Sequence, residues 1–139
     1  MAAGILTRNN LVIFTLGIAS AIPLILIMSS LGVWFFESGI SMTTIGLFAL
    51  VSSPYSLKFL WSPFLDGLKT PILADKLGKR KSWMFLFQIL LFILIFMLAV
   101  NDHVEHIYRA ALIAFAIAFF SASQDTLIDA YRIELGSKE

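Results

Sequence analysis

Four long apolar stretches alternate along this chain with three short polar ones. The apolar stretches cover residues 11–36, 43–65, 82–100 and 108–131. Each is long enough to cross ~30 Å of bilayer hydrocarbon as a helix. None shows the two-residue alternation of a strand. The pattern therefore predicts an all-α membrane protein of four transmembrane helices. The first and third connections (37–42 and 101–107) are short, so consecutive helices should lie antiparallel as neighbours.

Composition supports this class. Of 139 residues, 59% are hydrophobic and only 14% charged, against about 25% charged in a soluble domain. There is too little polar surface to cover a water-soluble core. With no cysteine in the sequence, disulfides and thiolate metal sites are excluded. The N-terminus imitates a signal peptide at Arg8 and Ala19-Ser20-Ala21. Its apolar run nevertheless continues to Phe36, too long for a cleaved leader, and reads as an uncleaved first span.

The placement of charge sets an orientation. Lys69, Lys76, Lys79, Arg80 and Lys81 all fall in the middle connection, while the other two carry Glu37, Asp102 and Glu105 and no Lys or Arg. Arg8 precedes the first span, and Arg132 and Lys138 close the fourth. By the positive-inside rule both termini and the middle loop are cytoplasmic. Trp61, Trp83 and Tyr131 then fall at the inner boundary, and Trp34 and Tyr108 at the outer one, where aromatic anchors are expected.

Three spans carry features that a plain anchor lacks. Pro23 in the first and Pro54 in the second both come near the midplane, where each removes a backbone bond and kinks its helix. Prolines are also simply commoner in membrane helices, so bends at a central cavity and a background presence both stand as readings. In the fourth span Ala110, Ala114, Ala118 and Ala122 recur every four residues as a small-residue ridge. Asp125, Asp129 and Arg132 share about 120° of arc with that ridge, so the carboxylates should face the protein. The third span is apolar all round apart from Gln88, and suits the lipid-facing rim.

The most unusual stretch is 52–66, SSPYSLKFLWSPFLD. A lysine inside a membrane span costs about 2.5 kcal/mol or more at the bilayer centre, and is a functional-site hypothesis by default. Lys58 lies about 15 residues from the outer end of span two and Asp125 about 17 from that of span four, depths equal to within a turn. Opposite charges at one depth can neutralise each other. Lys58 and Asp125 are thus expected to flank a polar path, with Tyr55 and Ser62 on the lysine's face. The competing reading is that Lys58 snorkels to the inner headgroups and that Asp129–Arg132 is a structural pair.

Other chemistry is not indicated. Asp102-His103-Val104-Glu105-His106 matches no zinc spacing and reads as a solvated loop. The basic run Lys76 to Lys81 needs no nucleic acid to explain it, since membrane orientation does so. No nucleophile–base set, phosphate loop or haem motif is present, so the chain is not expected to be an enzyme or to hold a cofactor or metal.

These motifs resemble the major facilitator superfamily and, within it, the AmpG-type muropeptide permeases. The loop Ile72-Leu-Ala-Asp75-Lys76-Leu-Gly78-Lys79-Arg80-Lys81 is similar to the superfamily's loop signature. Narrower are Ile45-Gly46-Leu-Phe-Ala-Leu, Pro54-Tyr-Ser-Leu-Lys58-Phe-Leu-Trp61-Ser-Pro63-Phe-Leu-Asp66 and Gln124-Asp125-Thr-Leu-Ile-Asp129-Ala-Tyr-Arg132, shared in part with acetyl-coenzyme A transporters. The resemblance implies a proton-driven importer of anhydro-muropeptides in the bacterial inner membrane, serving peptidoglycan recycling, with the proton gradient in place of a cofactor. It further implies that Lys58, Gln124, Asp125 and Tyr55 are substrate or coupling residues. Asp66, Asp75, Gly78, Lys79, Arg80, Asp129 and Arg132 would belong to the cytoplasmic gate and loop.

Two departures accompany it. Gly67 stands where the family usually has arginine, and the family has at least twelve spans. Four spans give neither a complete first half nor any of the second, so the chain is expected to be an N-terminal fragment, incompetent for transport without the remainder. Two other classes stay open: a four-helix homo-oligomeric exporter, although span one lacks the mid-span carboxylate such proteins use, and a non-transporting membrane protein.

Overall fold

The computed structural model describes residues 8–67, 78–102 and 105–136. Among these residues the regular structure is entirely helical, in four stretches. Three are continuous, long and apolar enough to cross a membrane: Asn10–Glu37, Lys79–Val100 and Ile107–Glu134. The second, 42–67, is helical throughout but broken into pieces.

The breaks follow the prolines. Pro54 and Pro63 each sit at the start of a new helical piece, Ser53–Leu57 and Ser62–Gly67, where a missing N–H costs least. Between the pieces the chain tightens into 3-10 turns at Ala49–Ser52 and Lys58–Leu60. In the first stretch Pro23 is buried within Arg8–Ile25, and a π turn follows at Leu26–Ser30, where the Leu31 N–H reaches back to the Leu26 carbonyl. An intercalated π turn and a proline are both recognised causes of a bend. Of the two proline-bearing stretches, the one with Lys58 is the more fragmented.

The fourth stretch is the spine. It packs against each of the other three, and its alanine ridge is fully enclosed, with Ala110, Ala114, Ala118 and Ala122 at 0% exposure. Small side chains there let the neighbouring backbones approach. Around the ridge a core forms from Ile27, Leu31, Phe35, Val51, Leu91 and Ile117. A second cluster nearer the chain's basic loop joins Leu65, Met84, Phe87, Leu127 and Ile128. The third stretch buries only Ser82, Met84, Phe87, Leu91 and Leu98, leaving Phe85, Phe92, Phe96 and Val100 exposed.

Directions are fixed by contacts. Arg80 at the start of the third stretch meets Ala130 and Glu134 near the end of the fourth, and Gln88 meets Gln124, so these two are antiparallel. Ser20 meets Asp125 while the groove beside residues 10–14 reaches Arg132, which makes the first stretch antiparallel to the fourth as well. Lys58 meets Asp125 and Trp61 meets Ser123; the second stretch therefore runs parallel to the fourth, as the equal-depth argument requires.

Candidate functional site

The 3-10 turn at Lys58–Leu60 aims the lysine at the fourth stretch, about one turn after Pro54. Its ammonium lies 2.5 Å from Oδ2 of Asp125 and 3.9 Å from Oδ2 of Asp129. Ser20 of the first stretch donates to the other Asp125 oxygen, Oδ1, at 2.8 Å. One carboxylate is thus gripped from two sides by two different helices. Lys58 and Asp125 are each about one-third exposed (34% and 33%), so the pair opens on one flank. The ammonium is thereby held at the level of the Asp125 carboxylate.

Asp129 is the weaker partner. It is half exposed, lies 3.8 Å from Arg132 one turn on, and receives Lys58 only at 3.9 Å. Charge therefore steps along the fourth helix from Asp125 through Asp129 to Arg132, with Lys58 shared by the two carboxylates. Beside Arg132 an open, mainly apolar groove of about 720 Å³ runs along residues 10–21 of the first stretch.

On the opposite side of the ion pair lie buried hydroxyls. The buried Tyr55 hydroxyl faces the buried Ser121 hydroxyl, with Asp125 beside it. Tyr55 does not reach Lys58, and for Ser62 the 3-10 turn interrupts the α-helical spacing that placed it on the lysine's face. Gln124 is 2% exposed and donates through Nε2 to Gln88 Oε1 at 2.7 Å, while its own Oε1 has no partner. The one interior polar residue of the third stretch is thereby matched with a candidate of the fourth.

At the basic end, Gly78 caps the third stretch with φ 82°, a conformation that side chains disfavour, and its carbonyl accepts from Ser82 Oγ at 2.8 Å. Lys79 opens that helix. Arg80 donates to the Ala130 carbonyl at 3.0 Å and pairs with Glu134 at 3.1 Å, tying the loop to the end of the fourth helix. Asp66 lies within the piece Ser62–Gly67, and Asp75 falls outside the described residues. Between the third and fourth stretches the Glu105 N–H donates to Asp102 Oδ1 at 3.3 Å, a local turn bond.

Two site residues were not legible in the sequence. Ser20 reads there only as one of several small residues, with nothing in the spacing to pair it with Asp125. Trp61 reads as an interfacial anchor; its indole N–H instead donates to Ser123 Oγ at 3.0 Å and its ring lies 4.8 Å from that of Phe119.

Comparison with known proteins fits these helices. The family model described as Acetyl-coenzyme A transporter 1 matches residues 11–139. A Haemophilus influenzae protein is 39% identical over 97% of this chain and 31% of its own length. A Rickettsia bellii protein whose name assigns it to the AmpG transporters is 33% identical over 96% of this chain and 33% of its own length. The anhydromuropeptide permease of Escherichia coli K12 is 36% identical over 91% of this chain and 25% of its own length. The chain thus spans a quarter to a third of these relatives. No solved structure matches it.

Proposed function

This chain belongs to the acetyl-coenzyme A transporter 1 family, and from that premise we propose that it is the opening segment of a proton-coupled importer of anhydro-muropeptides. In this reading four spans, the broken stretch 42–67 among them, begin the N-terminal bundle of a major facilitator. Both termini and the basic loop face the cytoplasm, and the membrane is the bacterial inner membrane. The muropeptide assignment draws on the Escherichia coli permease and on the AmpG name of the Rickettsia relative. The family description itself favours acetyl-coenzyme A as the second candidate substrate.

The observation that carries the reading is the Lys58–Asp125 pair braced by Ser20. An intramembrane carboxylate with a lysine counter-ion is a chargeable site whose protonation changes the contacts between helices. When Asp125 takes a proton, its attraction for Lys58 falls, and Asp129 is within reach as the next acceptor. Proton uptake is thereby linked to a shift of the second stretch along the fourth. Lys58, Asp125, Gln124 and Tyr55 are the coupling or substrate residues, and Arg80, Asp129 and Arg132 the inner gate. Further helices supplied by the rest of the transporter would cover the open flank of the ion pair and the groove at Arg132; lipid covers the remaining apolar faces.

The test is uptake of labelled anhydro-muropeptide by bacteria lacking their own permease. The 139-residue chain is expressed alone and joined to the remaining helices of the Escherichia coli relative. Uptake is expected from the joined form only, abolished by a protonophore and reduced at least tenfold by Lys58→Ala and by Asp125→Ala. If both substitutions leave the joined form's uptake unchanged, the coupling role is wrong.

A further inference from the structure

We infer that the exposed edge of the third stretch around Gln88 is the docking face for a later transmembrane helix of the same transporter. That helix meets the Gln88 amide with an uncharged hydrogen-bonding side chain. The inference rests on the reading of the chain as the opening part of a longer transporter. Its own support is separate, and lies in an exposed amide halfway along an apolar helix.

Depth makes the case. Lys79–Val100 has 22 residues, about 33 Å of helix, and Gln88 lies about 14 Å from its basic end. The amide therefore falls near the middle of a ~30 Å hydrocarbon layer, away from headgroups and bulk water. Its Oε1 accepts from Gln124 Nε2 at 2.7 Å. Gln88 is nevertheless exposed, and among the described residues nothing accepts from its own Nε2, which carries two N–H donors. Turning both amides over exchanges donor for acceptor but still leaves the outer half of Gln88 unmatched. A polar group facing hydrocarbon is costly, and lipid tails cannot bond to it. Between membrane helices such groups are met by polar side chains across the interface.

The surroundings say what kind of partner fits. Phe85, Gln88, Phe92 and Phe96 fall within about 80° of one helix face, all exposed. The opposite face is already committed, with Phe87, Leu91 and Leu98 packed in the two cores. Three rings around one amide offer another helix shape as well as a hydrogen bond. An ionised partner would lack a counter-ion here, because the nearest charge on this face, Lys81, lies about 10 Å closer to the basic end, over the Tyr131 ring. The chain spans only a quarter to a third of its relatives, so most of the transporter's length is left to supply that helix.

Phe92→benzoylphenylalanine, which flanks the amide and leaves it intact, tests this in lipid nanodiscs. It is made in the 139-residue chain joined to the remaining helices of the Escherichia coli relative and in the chain alone. On irradiation the joined form is expected to cross-link to a peptide from its own later helices, with a Ser, Thr, Asn or Gln within one turn of the attachment, as mapped by mass spectrometry. Gln88→Leu combined with Gln124→Leu removes both amides and orphans neither. This double variant should lower the unfolding temperature of the joined form and leave that of the chain alone unchanged or raised. Cross-links only to lipid or to a second copy of the chain overturn the inference, as does an equal effect of the double variant on both forms. A joined form that cross-links as expected but imports nothing sinks the transport reading and leaves the docking face standing.

Discussion

Lys58 and Ser20 bind opposite oxygens of one carboxylate, that of Asp125, from two different helices. Holding both oxygens fixes the carboxyl plane, so loss of either contact frees a rotation that the other alone cannot prevent.

The ion pair should show strong coupling. Removing one member leaves a partly buried charge without its counter-ion, which costs more than removing both. Lys58→Ala and Asp125→Ala should each lower stability, and the double variant should lose less than the two combined, with a coupling of about 1–2 kcal/mol. Thermal unfolding of the four proteins in detergent measures it.

Ser20→Ala should cost about 1.5 kcal/mol, the low end for a bond to a charged group, because the site is partly open. Ser20→Thr keeps the hydroxyl and should restore most of it. The same unfolding assay distinguishes the two.

Trp61→Phe keeps the aromatic face toward Phe119 but deletes the N–H that reaches Ser123. A loss of about 1 kcal/mol is expected. Trp61→Ala removes the ring contact as well and should cost clearly more in the same assay.

The alanine ridge should tolerate no enlargement. Ala114 and Ala118 are fully enclosed, and added methylenes in a packed site cost about 1–3 kcal/mol. Ala118→Leu should lower the unfolding temperature, whereas Leu112→Ala on the exposed face should leave it nearly unchanged.

Arg80→Lys should not substitute for arginine. One guanidinium nitrogen, Nη1, serves the Ala130 carbonyl and Glu134 together, and the ammonium of the shorter, more strongly hydrated lysine does not reach the same point. Faster amide exchange over residues 130–136 is expected in Arg80→Lys and more so in Arg80→Ala, read by mass spectrometry.

How far these features were legible depended on their periodicity. The alanine ridge and the facing of Asp125 follow from the regular α-helix of the fourth stretch, so counting residues was enough. The Lys58–Asp125 level was readable because two stretches of similar length share a direction. The fate of Ser62 was not, since a 3-10 turn at Lys58 breaks the spacing on which the expectation rested. Nor was Ser20, because an antiparallel register between distant helices is set by side-chain packing rather than by any local signal. Residues 42–67 show the same limit. Their prolines announce breaks, but the division into short helical pieces depends on where the freed carbonyls find other partners.

The fourth stretch is the most enclosed of the three continuous spans and the least apolar. A nascent chain presents its helices to the membrane one after another, and this one arrives carrying Asp125, Asp129 and a row of alanines, a poor exchange for lipid contact. The earlier helices offer its Asp125 a serine and a lysine, Ser20 and Lys58, as partners inside the bundle. The contact at Asp125 is, during synthesis, also one that helps to keep its own helix from slipping back into water.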